Sequence, residues 1–373
     1  MQSSVHAMTI LLAAIVAIIA AAKFLRRRNI PSSEAKVGAN RPKNPAVIVP
    51  LEAFDWKAEE PPKFRPFKPI YHIGMGLRPD TPSDLITIDK NYLARVTLRR
   101  QLLHRHGKML HGCAAAGQDA VRELYGFLMS CYLPVRFPTI FHLSQDKLRI
   151  HNLVTGEMHP TTASDDAAAS LRTIGRTVEE DMFLVRETSD GHRSVAFVCC
   201  FPAGFNPSTK LDKLLKDIHG PVPSYERIGP SMERFFSRLK VGKSVKRLNW
   251  VVQTHDELLV SDAHHAPHPG VKENGSVDIE NTYLRVELQT LTRLPLTRDI
   301  LFSFKTCLYP LREIKDEGLG PDLAEAVQGL RMGNAPGMWA YKAGAQWAAG
   351  VSQYLRGVEE GEASHVTRLW SNT

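Results

Sequence analysis

The sequence predicts an α+β fold: an antiparallel sheet with helices packed on it, N- and C-terminal helical regions, and one N-terminal transmembrane helix. Three observations carry this. Short β-rich runs cluster between about residues 177 and 312, apolar residues at three- and four-residue spacing fill the stretches around them, and one long apolar run stands near the N-terminus. The composition, 43% hydrophobic and 23% charged, is that of a globular chain and excludes disordered and collagen-like classes.

The apolar run, residues 8–25, reads MTILLAAIVAIIAAAKFL and is broken only by Thr9 and Lys23. At about 1.5 Å per residue it is close to the shortest helix that crosses a bilayer core. Residues 1–7 carry no Lys or Arg, whereas Arg26, Arg27 and Arg28 follow the run. A cleaved signal peptide has the opposite charge order, and the positive-inside rule places the body of the chain in the cytosol. The expectation is therefore a single-pass anchor with residues 1–7 lumenal, in the endoplasmic reticulum. A mitochondrial presequence is the alternative, because the first acid is Glu34. Residues 29–69 hold eight prolines, so residues 26–63 read as an extended linker, with order starting near Phe64.

Helical spacing over 84–106 and 117–132 predicts a mainly helical region at residues 64–170. A core of strands follows at 171–312. EEDMFLVRE and SVAFVCCF flank Ser189-Asp190-Gly191-His192, which reads as a hairpin turn. In LDKLLKDIHG, Leu211, Leu214, Leu215 and Ile218 form a helical stripe that Gly220 stops. LNWVVQTH, YLRVELQTL and ILFSFKTCLY are three more strands. Two strands, a helix and three strands is the order of a Per-ARNT-Sim (PAS) type sheet with helices on one face. Residues 313–373 read as a C-terminal helical region, Ala-rich after Leu323.

Cys113, Cys131, Cys199, Cys200 and Cys307 form no CxxC pair, which favours a reducing compartment and leaves no thiolate frame for an iron–sulfur cluster or structural zinc. A net charge of +8 is modest for 373 residues, and with no zinc-finger or RNA-binding signature no nucleic-acid partner is expected. His219 precedes Gly220-Pro221-Val222-Pro223, a rigid turn that would restrict the imidazole. That suits a metal ligand and equally a helix cap; spacing leaves both open. On the strand from Tyr283, Arg285, Glu287 and Gln289 alternate with Leu284, Val286 and Leu288. The polar row is either a solvent face or a pocket wall, and Arg247, Asn249, Trp250 and Arg293 supply more donors than a bare face needs. His264, His265 and His268 read as a solvated loop, and Cys199-Cys200 as a buried pair pointing to opposite faces.

The series MGL from Met75, Asp89-x-x-Tyr92, LPVRFP from Leu133, EED from Glu179, FPAGF from Phe201, Lys210, IHGPVP from Ile218, RLNW from Arg247 and LRVELQTLTRLP from Leu284 resembles the haem-dependent oxidative N-demethylase family over residues 64–312. The resemblance implies a haem-binding, PAS-like catalytic subunit that oxidises secondary methylamines with dioxygen to the primary amine and formaldehyde. Carried over, it makes His219 the proximal iron ligand of a haem b, the chain having no CxxCH attachment motif. Arg285 and Glu287 become the catalytic distal pair, the first donating to dioxygen or a propionate, the second pairing with the cationic amine. Lys210, Arg247, Asn249, Gln289 and Arg293 are then cofactor-binding. Leu288 stands where many relatives carry Arg, and the anchor departs from the soluble bacterial enzymes. With no glycine-rich dinucleotide fingerprint after a strand, electrons would come from a separate reductase. The rival expectation is a PAS-type haem or ligand sensor without turnover.

Overall fold

Residues 47–261 and 277–357 are described by the structure, a computed structural model. The run at residues 8–25 and the histidines 264, 265 and 268 lie outside the described residues. Among the described residues no helix is long and apolar enough to cross a membrane, so the expected transmembrane helix finds no support there.

In chain order the strands are β1 (Arg78–Asp80), β2 (His111–Cys113), β3 (Phe141–Leu143), β4 (Arg149–Asn152), β5 (Glu157–Pro160), β6 (Asp181–Thr188), β7 (Gly191–Val198), β8 (Ser244–Gln253), β9 (Tyr283–Arg293) and β10 (Ile300–Pro310). The helices used below are α1 (Tyr92–His106), α2 (Gln118–Phe127), α3 (Leu133–Arg136), α4 (Ala167–Thr177), α5 (Leu215–Ile218), α6 (Gly229–Arg238), α7 (Leu311–Asp316), α8 (Gly320–Gly329), α9 (Met338–Tyr341) and α10 (Gly344–Arg356). Seven strands form one antiparallel sheet in the order β1-β8-β9-β10-β6-β7-β2, and β3-β4-β5 form a second. Ser189-Asp190 form the two-residue turn between β6 and β7, and Gly191 closes it with a φ of 118° that an L side chain rarely adopts. The first strand of that hairpin then pairs with the last strand of the chain, β10.

Register places Arg247, Gln289 and Phe304 in one row across β8, β9 and β10, and Asn249, Glu287 and Thr306 in the next, all on one face. Trp250, Val286 and Cys307 occupy the opposite face. Two apolar cores pack on that face: Met182, Leu184, Val198 and Leu301 join the core of the N-terminal helices, while Trp250, Val252, Val286 and Tyr309 pack with Leu323, Val327, Trp347 and Val351 of the C-terminal ones. The polar face is covered as well, at one end by Leu215 of α5 and Phe236 of α6 against Val185, Leu291 and Ile300. The sheet is thus clothed on both faces, where the sequence predicts one. Cys199 and Cys200 do fall on opposite faces, in separate cores.

Four local differences have physical causes. The helix expected over 211–219 shrinks to α5, because Asp212 takes a left-handed backbone (φ 61°) and the 212–213 peptides bond Ser194 of β7 instead. Helix α6 and the small sheet β3–β5 were not foreseen, the strands being only three or four residues long. Order begins before Phe64: Ile48, Leu51, Phe54 and Trp56 lie against the N-terminal core, and the Leu51 amide donates to Arg136 O at 2.9 Å. Apolar anchors hold a proline-rich stretch without regular structure.

Candidate functional site

Helix α5 is a single turn, and His219 ends it. Its Nδ1 lies 2.8 Å from Leu215 O. A carbonyl only accepts, so Nδ1 carries the proton and Nε2 is left as the lone-pair nitrogen. Tyr225 stacks on the ring, centroids 5.0 Å apart and planes within 9°. The Val222 amide donates to His219 O at 2.8 Å, closing the proline turn. Burial pushes the imidazole pKa down, and the nearby cations Arg247 and Lys210 push the same way. The ring is therefore neutral at neutral pH, the form that binds a metal.

An aromatic wall lies on the sheet beside this turn. Phe183 stacks on Phe197 and Phe304 with centroids 5.7 and 6.4 Å apart, and Phe302 joins this group to Leu215 and Ile218. Phe205 and Leu211 close its edge. Lys210 stands over Phe205 at 5.9 Å, its pKa lowered by burial.

The polar row continues from that wall. Glu287, buried, accepts from Gln289 Nε2 at 2.8 Å and from Asn249 Nδ2 at 3.4 Å. Arg247 makes no salt bridge among the described residues, and its buried Nε has no partner. Burial lowers its pKa, opposed by Tyr71 and Glu287. Arg285 is fully buried and differently employed: Nη2 donates to Phe201 O at 2.6 Å, Nη1 to Leu258 O at 3.1 Å and Gln253 Oε1 at 3.2 Å, and Nε alone is without a partner. Arg293 donates to Leu239 O and Arg298 O, both at 2.6 Å, and to Phe236 O, so it fastens the end of α6. Its donors are taken up outside the polar row. Leu288 lies on the opposite face, opposite Leu248 and Lys305, so an exchange there leaves the row containing Glu287 unaltered.

The structure thus brings His219, Lys210 and Arg247 within electrostatic reach of one another and gathers Asn249, Glu287 and Gln289 into a hydrogen-bonded set. It also adds residues that the sequence reading missed. Lys342, buried, donates to Trp250 O, and burial takes its pKa down to about 8 against the pull of Glu287. Tyr341 lies within the field of the same carboxylate. A Cβ on Gly337 would stand 2.9 Å from Pro223, so the C-terminal segment abuts the turn after His219. No local pattern marks these residues, which meet the site only through tertiary contact. Chemically the arrangement offers one neutral nitrogen ligand, an apolar aromatic wall, two cations that form no ion pair among the described residues and one buried carboxylate. Among the described residues no group of three or more His, Cys, Asp or Glu could hold a bare metal ion. The family model described as haem-dependent oxidative N-demethylase, alpha subunit-like, matches residues 76–352.

Proposed function

The chain belongs to the haem-dependent oxidative N-demethylase alpha subunit-like family, and from that premise we propose that it oxidatively demethylates a methylated amine with dioxygen. The balance is R₂N–CH₃ + O₂ + 2H⁺ + 2e⁻ → R₂NH + CH₂O + H₂O, the electrons coming from a separate reductase. The family is haem-dependent, and the residues present fit that group. A haem asks for a neutral axial nitrogen, an apolar wall for the macrocycle and cations for two propionates. The observation that carries the reading is His219, whose tautomer is set by Leu215 O so that Nε2 keeps its lone pair for a ligand. The partnerless Nε of Arg247 supports it, because a buried donor without an acceptor asks for one from outside the chain.

In this reading His219 holds the iron, Arg247 and Lys210 hold the propionates, and the phenylalanines exclude water. Bound there, haem supplies the redox chemistry that reduces dioxygen and oxidises the N-methyl carbon. Glu287 pairs with the substrate ammonium, its oxygens oriented by Gln289 and Asn249. Arg285 keeps Nε for the distal side, while its Nη atoms hold the backbone at Phe201 and Leu258 in place. The PAS-type reading of the sheet is supported by the order β7-β6-β10-β9-β8, in which the first strand of the opening hairpin lies beside the last strand. The apolar run at residues 8–25, followed by three arginines, supports a membrane anchor with the body on the cytosolic side. Protease added to sealed microsomes should then digest the body; survival of the body until detergent is added would overturn that orientation.

The central test is spectral and chemical. Full-length protein supplied with haem should show a Soret band that His219→Ala loses while its far-ultraviolet circular dichroism is unchanged. With an electron donor and dioxygen, a methylated amine should yield formaldehyde. A Soret band without formaldehyde from any amine would favour the sensor, and no band at all would overturn the haem site.

A further inference from the structure

The layer that covers one end of the polar face carries a concentration of positive charge. Arg227, Arg234 and Arg238 are exposed on or just before α6, Lys213 and Lys216 beside α5, and Lys240 and Lys243 in the turn that leads to β8. The exposed acids of the same stretch are Asp212, Asp217 and Glu226. Asp212 is drawn off to Arg193 of β7 at 3.5 Å, and the half-buried Glu233 to His192. Among the described residues none of these cations forms a salt bridge within the stretch, and their side chains make one hydrogen bond, from Arg234 to Ser231 at 2.9 Å. Arg234 and Arg238 are four residues apart and share one face of α6. Met232 and Phe236 hold the opposite face against Leu215, Ile218, Leu291 and Ile300. A helix is about 10–12 Å across with its side chains, so these cations stand one helix thickness above the apolar end of the site. Unpaired charge of one sign does little for the fold, but its field draws in the opposite charge.

We propose that this basic layer is the docking surface of the electron donor, an acidic protein carrying a one-electron flavin or iron–sulfur group. This rests on the function proposed above, which takes two electrons in each turnover from outside the chain. The same layer carries His219 at the end of α5, so a donor seated on it lies close to the axial ligand, and electron tunnelling weakens steeply with distance. A lipid surface fits less well. Helices that lie in a membrane interface bury an apolar face, and none of the exposed large apolar side chains among the described residues falls in this stretch. Encounters between redox proteins are small and weak, and charge supplies their attraction and orientation. Each encounter passes one electron to the haem from the donor, which leaves oxidised by one electron. Two encounters therefore supply the pair that each turnover consumes.

The test uses full-length, haem-loaded protein in phosphatidylcholine nanodiscs. The probe is reduced plant-type ferredoxin, a strongly acidic one-electron carrier, and haem reduction is followed under carbon monoxide by stopped-flow absorbance. The rate should fall about tenfold or more in the double variant Arg234→Glu with Arg238→Glu, and by less in Arg234→Gln with Arg238→Gln. Raising the salt from about 50 to about 500 mM should slow the wild type in the same way. Photoreduction by deazariboflavin, which is uncharged and needs no docking, should be unchanged in every variant. Arg122→Glu with Arg149→Glu, a pair of exposed cations outside the layer, should keep the wild-type ferredoxin rate. Wild-type ferredoxin rates in the Arg234→Glu, Arg238→Glu variant overturn the surface, as does equal slowing in the Arg122, Arg149 pair. Slowing that appears only when phosphatidylserine is added to the discs overturns it in favour of lipid. If ferredoxin reduces the haem through this layer but no amine yields formaldehyde, the docking surface stands and the proposed reaction fails.

Discussion

Two arginines packed against the same sheet, Arg99 buried and Arg247 half-buried, are treated in opposite ways. Arg99, on α1, engages all three of its nitrogens: Nε to Gly175 O at 2.7 Å, Nη1 to Glu179 O at 2.9 Å and to Asp181 Oδ1 at 2.5 Å, Nη2 to Glu180 O at 3.1 Å. Asp181 in turn accepts the amides of Cys200 at 2.7 Å and Phe201 at 2.8 Å. Arg247, on β8, feels the Glu287 carboxylate but forms no ion pair among the described residues, and its Nε is orphaned. A buried charge without a counter-charge is costly, so a fold keeps one chiefly where something else supplies the other sign. The difference separates charge that joins elements of the fold from charge held open for a ligand. Arg285 lies between the two, with both Nη atoms engaged and Nε without a partner.

The comparison is most exposed at Arg99. Arg99→Met should cost about 3–5 kcal/mol in urea unfolding, because Asp181 is left buried and unpaired. A loss under about 1 kcal/mol would break the distinction, since the satisfied cluster would then not be structural.

Glu180 sharpens it. One of its oxygens accepts from the Thr87 amide at 2.8 Å while the other is buried and partnerless, and burial raises its pKa to about 7 against the pull of Lys305. The folded pKa lies above the unfolded value of 4.5, so the fold binds this proton more tightly than the unfolded chain does. Stability from Glu180 is fully present below pH 4.5 and is lost as pH rises to about 7. Glu180→Gln should therefore be more stable than wild type by roughly 2–3 kcal/mol at a pH above 7 and equal to it below 4.5. Denaturation at the two pH values measures this, and an equal effect at both would show that the carboxyl does not titrate in that window.

The smallest effect belongs to Arg247. Arg247→Leu should stay within about 1 kcal/mol of wild-type stability, or exceed it, because an uncompensated charge is removed. Its haem affinity should fall about tenfold, the equivalent of about 1.4 kcal/mol, in an optical titration. Large destabilisation with unchanged haem binding would place Arg247 with Arg99.

Much of this was legible along the chain. The strands of β6, β7, β8, β9 and β10 showed in their runs, the turn at Gly191 in its Ser-Asp-Gly-His tetrapeptide, and the rigid ending at His219 in Gly220-Pro221-Val222-Pro223. Helix α5 is shorter than the stripe from Leu211 predicts, because Asp212 and Lys213 bond β7. The residues 47–63 were read as linker because eight prolines outweighed four scattered anchors that find their core only when α1 to α4 assemble.

What the sequence by itself determined is what depends on near neighbours: element type, the alternation that puts Arg285, Glu287 and Gln289 on one face, and the restraint on His219. Tertiary structure decided which of those polar groups remain available. Phe201 and Leu258, both far from Arg285 in sequence, take its donors; no acid forms an ion pair with Arg247 among the described residues; the end of β6 opens a pocket beside Thr306; and residues 337–342 close on Pro223 and Trp250. Period-two patterning gives a side chain its face. Only the partner brought by another part of the chain settles whether its hydrogen bonds are already made.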